Sequence, residues 1–282
     1  MGWRASVSQA HIDAGKAYEN LFVSSLFREW APRTIDAARV QPGQRVLDVA
    51  CGTGVVAREA VLKAGREGSV VGLDANPGML AVAASITPSV EWHQGIAESL
   101  PFPDESFDVV VCQFALMFFI DKAQALREML RVLKSQGRLA VTAWNSLGTM
   151  PAYADVVDLL EQFAGREAAN ALRAPFVLGD REGLALLFSE AGADSFAVET
   201  QRGTAHFPSI GIMVEAELRG WLPVVGITLT EEQIARILQE AETALSSYVM
   251  KDGTVTFPTS AHIVSATKLS PRPGEQAKCN DR

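Results

Sequence analysis

The chain has 282 residues, 48% of them hydrophobic, with a formal charge of -8 and a pI near 5.1. That content can bury a large core in one domain with an elaborate insertion, and the acidic balance argues against nucleic acid as a main partner, because neutralising phosphates takes a basic surface. Three cysteines without a Cys-x-x-Cys pair, and four histidines (His11, His93, His206, His262) without zinc spacing, predict free thiols in a reducing cytoplasm and no metal site.

In chain order, Met1-Gly-Trp-Arg-Ala-Ser6 matches a myristoylation pattern only formally. No apolar leader follows, and the longest uncharged apolar run, Val109 to Ile120, is too short to span a bilayer, so no integral membrane association is expected. From Ala17 to Ala38, Tyr18, Phe22, Leu26, Phe27 and Trp30 recur as on an amphipathic helix. Val46, Leu47 and Val49 suit a buried parallel strand over Arg45 to Ala50, and Gly52 and Gly54 then allow a tight turn beside a ligand. Asp48 is the unusual residue: a carboxylate at the end of such a strand repels a pyrophosphate and welcomes a cation, which points to S-adenosylmethionine. After a helix from Val55 to Ala64, the strand Ser69 to Asp74 ends in a second acid suited to a ribose diol, and the two strands form a beta-alpha-beta unit opening on one crevice.

Further strands are predicted at Val90 to Gln94, Phe107 to Phe114 and Arg138 to Trp144, with a helix from Lys122 to Lys134 capped by Asp121. Asn145 to Asp180 reads as helix-rich. Ser195 to Gly203 is a strand, Ile210 to Trp221 a helical insert, and Thr230-Glu-Glu-Gln233 a capping box that starts a helix. Ala261 to Lys268 is expected to be the final strand, antiparallel and at the sheet edge. The pattern predicts an α/β fold, Rossmann-like and doubly wound, with a mostly parallel seven-stranded sheet, helices on both faces and helical lid insertions. The expected divisions are a helical lid at 1–40, a cofactor-binding core at 41–145, remaining core strands with substrate-lid insertions at 146–269, and a disordered tail at 270–282.

Three blocks carry a family resemblance: Asp74-Ala-Asn-Pro-Gly-Met-Leu80, the Leu-Pro-Phe-Pro-Asp run within Gly95 to Asp108, and Arg127-Glu-Met-Leu-Arg-Val-Leu-Lys134, in order after the glycine turn. Over roughly residues 40 to 145 the chain resembles class I S-adenosylmethionine-dependent methyltransferases, most of all the branch of the ubiquinone and menaquinone C-methyltransferases. The resemblance implies that Gly52, Thr53 and Gly54 line the methionine end of the cofactor, Asp74 holds its ribose, Ala75 and Met79 flank the adenine, Ile96 and Ala97 contact the adenine edge, and Gln113 meets the amino acid portion. It also implies that an amino-terminal helix covers the cofactor, with Tyr18 as a lid contact. Two positions depart from the pattern. Ala50 replaces the first glycine, tolerable where no positive φ is needed, and Ile96 stands where many relatives bond the adenine amino group, leaving adenine to the Ala97 backbone and apolar contact.

Each residue also has a plain structural reading: glycines after a strand form turns, Met79 packs in the core, Gln113 caps a strand. Gly52-Thr-Gly54-Val-Val-Ala57 also satisfies the nicotinamide-binding fingerprint of an oxidoreductase, but there a carboxylate at Asp48 would face a pyrophosphate. The expected activity is methyl transfer to a small apolar or aromatic metabolite, at oxygen or carbon. A non-catalytic S-adenosylmethionine-binding protein is the alternative from another class. No catalytic residue is assigned. His206 and His262 are the imidazoles outside the cofactor motifs, and a base is needed only if the acceptor is not already acidic.

Overall fold

The computed structural model describes residues 7–193 and 195–269; the Met1–Ser6 pattern, Cys279 and the tail from Ser270 lie outside them. Strands β1 (Arg45–Val49), β2 (Ser69–Asp74), β3 (Glu91–Gln94), β4 (Phe107–Gln113), β5 (Leu133–Trp144), β6 (Phe196–Phe207) and β7 (Val255–Thr267) form one sheet in the order β3-β2-β1-β4-β5-β7-β6. β1 to β5 run parallel, and β7 is antiparallel to both β5 and β6. This is the Rossmann-like, mostly parallel sheet that the alternating pattern predicts. The helices are α1 (Gln9–Tyr18), α2 (Trp30–Ala38), α3 (Val55–Ala64), α4 (Pro77–Ile86), α5 (Lys122–Val132), α6 (Pro151–Phe163), α7 (Arg166–Arg173), α8 (Arg181–Glu190), α9 (Ile210–Glu215), α10 (Leu222–Val224) and α11 (Glu231–Ala244).

Local chemistry accounts for most of these elements. β1 buries Val46, Leu47 and Val49, and α3 presents Ala57, Ala60 and Ala64, which let the helix lie close on the sheet. Asn76 caps α4 by accepting from Gly78 N at 2.8 Å, with Pro77 in the first turn. Asp121 caps α5 by accepting from Gln124 N at 2.8 Å, and the Thr230–Gln233 capping box opens α11. One core cluster unites α2, α3 and α4 with the sheet, and a second, larger one takes in α5 to α9 and α11.

Three expectations need correction. β7 is not the edge strand: it lies between β5 and β6. β7 is buried along most of its length, whereas β6 carries exposed Glu199, Thr200 and Arg202, so the more polar strand takes the edge, where one side of the ladder meets water. Boundaries also move: β5 starts at Leu133, which pairs with Phe107 and ends α5 at Val132, and β6 runs on to Phe207. The amino-terminal helical region is not one helix. A π-helical stretch, Glu19–Phe27, separates α1 from α2; its wider turn clusters Tyr18, Phe22 and Phe27, with ring centroids 5.6–6.4 Å apart. The strap formed by α1 and this stretch is anchored where α1 crosses α4: a Cβ on Gly78 would stand 2.5 Å from the His11 carbonyl oxygen.

Candidate active site

The chain winds from β1 to one side of the sheet and from β4 to the other, so their carboxyl ends flank the crevice at which open α/β sheets bind ligands. There Asp48 of β1, Gln113 of β4, Gly52 of the intervening turn and Phe114 meet Tyr18 and Phe27 of the strap around a cleft of about 30 Å³. Four of the predicted site residues, Tyr18, Asp48, Gly52 and Gln113, thus come together.

The turn after β1 holds Ala50, Gly52 and Gly54 at φ of 54°, 54° and 85°. The condition for tolerating Ala50 therefore fails: the position does need a left-handed backbone, which a side chain disfavours by about 1 kcal/mol. Ala50→Gly is expected to raise stability by about 1 kcal/mol, read as a rise of about 2 °C in melting temperature; an unchanged or lower midpoint would refute it. Gly54 cannot be replaced so simply, because its Cβ would lie 2.5 Å from the Trp92 ring.

Asp48 is buried, and its Oδ2 accepts from Ala57 N at 2.9 Å inside the first turn of α3. Burial pushes its carboxyl up to about 8, against the lowering effect of that hydrogen bond. Asp74 is half-buried; its Oδ2 accepts from Gly52 N and its Oδ1 from Asn76 N, both at 2.8 Å, while burial again raises its pKa. The two acids bracket the turn as the sequence implies, but each also holds backbone. Gln113 is similarly engaged: its Nε2 donates to Phe27 O at 3.2 Å and its Oε1 accepts from Thr34 Oγ1 at 2.9 Å, tying β4 to the strap and α2. Thr53 is buried and its hydroxyl donates to Glu19.

None of the residues expected around adenine lines the cleft; they stand at the ends of β2 and β3 and on α4. Gly95 N donates to Asp74 O at 3.1 Å, joining the ends of β2 and β3. Ala75 is exposed there and Met79 half-buried on α4. Ile96 is 54% exposed, whereas Ala97 is packed in the core and has only backbone to offer.

Sequence reasoning missed Glu19 and Arg58, which form an ion pair of 2.8 Å across the mouth of the turn. Nothing local marks Glu19; Arg58 could have been suspected from its place one helical turn after Gly54. The two candidate imidazoles do not reach the cleft. His262 is buried, with Nδ1 2.9 Å from Thr200 Oγ1 and Nε2 3.0 Å from Gly179 O, both ring nitrogens being used. His206 lines a separate cavity of about 200 Å³ between the strap and β6, with Ser24, Ser25, Leu26, Glu29 and Thr204.

Residues 47–141 match the family model described as a methyltransferase domain. That segment is about a third of the chain, and over it the protein is similar to class I S-adenosylmethionine-dependent methyltransferases. It is 43% identical over 139 residues to the ubiquinone/menaquinone biosynthesis C-methyltransferase UbiE of Ectopseudomonas mendocina, covering 47% of this chain and 54% of that protein. The UbiE of Vibrio vulnificus is 38% identical over 146 residues, covering 49% and 56%. The chain thus spans about half the length of the curated relatives it matches. Among solved structures, YcgJ from Bacillus subtilis aligns over 86% of this chain and 99% of its own with a TM-score of 0.58 at 21% identity. Phosphoethanolamine N-methyltransferase 2 of Haemonchus contortus aligns over 96% and 60% with a TM-score of 0.59 at 17% identity. At these identities the two structures establish the fold. Among the described residues no helix is long and apolar enough to cross a membrane.

Beyond the cleft, the insertions meet at a buried carboxyl. Tyr153 of α6 donates its hydroxyl to Glu217 Oε1 at 2.9 Å, and Glu217 sits on a second π-helical stretch, Ala216–Trp221. Burial pushes Glu217 from 4.5 up to about 7, against the Tyr153 hydrogen bond. A raised folded-state value means that the folded protein holds the proton more tightly, so stability falls as pH rises from 4.5 to about 7 and stays low above it. Glu217→Gln is expected to abolish that fall and to stabilise the protein near pH 8 by up to about 3 kcal/mol, at about 1.4 kcal/mol per pH unit. Urea melts at about pH 5 and about pH 8 check this; the same pH dependence in both proteins would refute it.

Proposed function

We propose that this protein transfers the methyl group of S-adenosylmethionine to a small apolar or aromatic metabolite, at oxygen or carbon, with the cofactor in the β1/β4 crevice. The observation that carries this reading is the joining of Asp48, Gly52, Gln113 and Tyr18 around one cleft, with Asp74 hydrogen-bonded to the turn. The donor set suits the cofactor: carboxylates for a sulfonium and a ribose diol, and a glycine turn for close approach. The space does not, while the strap is docked. About 30 Å³ holds one or two waters, whereas pockets for ligands of this size run to roughly 300–1,000 Å³. Entry therefore requires Tyr18 and Phe27 to withdraw, and the strap closing again over the bound cofactor, at a wider spacing than in this structure, excludes water from the reacting centre.

The bound cofactor supplies an activated methyl group, and what this chain contributes is position and dryness. An apolar or aromatic acceptor fits the wall beside the cleft, where Phe114 stacks on Trp144 at 3.7 Å between centroids and Phe27 leans over both, at 5.7 Å and 6.3 Å. Relatives named for ubiquinone and menaquinone biosynthesis favour a ring acceptor, though the likeness covers only half of each chain. With His262 fully engaged, an acceptor that is itself acidic is the better fit. Calorimetry with S-adenosylmethionine, followed by turnover of a panel of phenols, quinols, amines and lipids, tests the reading. Binding with no transfer to any of them would favour a non-catalytic cofactor-binding protein, and binding of a nicotinamide dinucleotide alone would favour the oxidoreductase.

A further inference from the structure

We propose that Glu19 and Arg58 form the recognition pair for the zwitterionic amino acid end of the cofactor, exchanging their mutual ion pair for its ammonium and carboxylate; this rests on the cofactor reading above. Glu19 Oε1 lies 2.8 Å from Arg58 Nη2, Glu19 Oε2 accepts from the Thr53 hydroxyl, and Arg58 Nη1 donates to Thr53 O at 2.9 Å. All three residues thus converge on the middle of the glycine turn. The next residue back, Tyr18, lies against Gly52, whose added Cβ would stand 3.7 Å from the Tyr18 ring. The side chains of Arg58 and Glu19 are only 23% and 14% exposed, so this is no freely solvated surface pair.

Charge explains why the site needs both. Asp48, Asp74 and Glu19 bring three carboxyl groups to the turn, each of which, when ionised, acts on the Tyr18 hydroxyl. They suit a sulfonium, a ribose and an ammonium, but repel a carboxylate. Arg58 opposes them: its charge reaches Asp48. A planar guanidinium can grip a carboxylate with two parallel hydrogen bonds, and Glu19 is left to accept from the ammonium. Because Glu19 arrives on the strap while Arg58 belongs to α3, the pair is complete only when the strap is docked. The amino acid end of the cofactor would then be sensed by closure, and a truncated nucleoside would not be.

The test compares S-adenosylhomocysteine with 5′-methylthioadenosine, which keeps the adenosine and the sulfur but lacks the amino acid, by calorimetry on the wild type, Glu19→Gln and Arg58→Lys. Each substitution is expected to weaken S-adenosylhomocysteine tenfold or more and to leave 5′-methylthioadenosine within twofold. Decarboxylated S-adenosylmethionine, which retains the ammonium, is expected to respond to Glu19→Gln and not to Arg58→Lys. Equal losses for the first two ligands, or no loss for either, would overturn the inference and leave the pair as a plain latch of the strap. A wild type that binds none of these ligands would sink the cofactor reading as well, so the two failures are distinguishable. Glu19→Gln keeps the side-chain shape and Arg58→Lys keeps the positive charge, and both variants are checked by thermal melting before titration.

Discussion

Asp74→Ala is expected to weaken S-adenosylmethionine by about 1.5–3 kcal/mol, the usual worth of hydrogen bonds to a charged group, or roughly tenfold to 150-fold in Kd. Its carboxylate stands at the end of β2, half-buried, and accepts from Gly52 N and Asn76 N. An ionised carboxyl has about four lone-pair directions, so two remain for ribose hydroxyls once the backbone is satisfied. Removing it also frees two backbone N–H groups, and the turn is expected to loosen. Asp74→Asn separates the two effects: the amide oxygen can still hold one backbone donor, while the charge is gone. An alanine variant with unchanged affinity would remove Asp74 from the ribose site, and one that loses affinity only in proportion to lost thermal stability would reduce it to a structural residue.

The second large effect is a pH dependence of cofactor affinity that follows charge. Burial holds the Asp48 carboxyl at about 8, so near pH 7 the free protein carries it protonated. A sulfonium placed beside it favours the carboxylate, and binding below about pH 8 therefore releases a proton. Linkage then requires affinity for S-adenosylmethionine to rise with pH, by up to about tenfold per unit for one proton, and to level off above about 8. S-adenosylhomocysteine has no sulfonium charge and is expected to show a much flatter profile. Calorimetry in buffers of different ionisation enthalpy counts the proton directly, and Asp48→Asn is expected to abolish the difference between the two ligands. Identical profiles for both would sever Asp48 from the sulfonium and leave it as the internal cap of α3 through Ala57.

These two expectations use residues that were legible in the sequence, and the reason is that their signals are local. Val46, Leu47 and Val49 mark a buried strand by composition, Gly52 and Gly54 mark a turn by backbone freedom, and Asn76, Asp121 and Thr230 mark helix starts by a side chain bonding two or three residues away. Asp48 and Asp74 stand out because an acid at the end of an apolar run is unusual, although only the structure shows that each also holds backbone of the turn or of the following helix. Fold class and cofactor chemistry follow from such short-range evidence.

Contacts between distant residues followed other rules. Glu19 meets Arg58 across 39 positions, Gln113 meets the Phe27 carbonyl across 86, and Tyr153 meets Glu217 across 64. No spacing rule links such pairs, because their proximity depends on how the strap and insertions pack on the sheet. The left-handed Ala50 and the inner position of β7 belong here too, the latter set by competition between two strands for burial. What the amino acids spell out along a few residues is the α/β fold and the glycine turn flanked by acids; which groups close over that turn, and which carboxyl ends up dry, is settled only once segments far apart in the chain exclude water from one another.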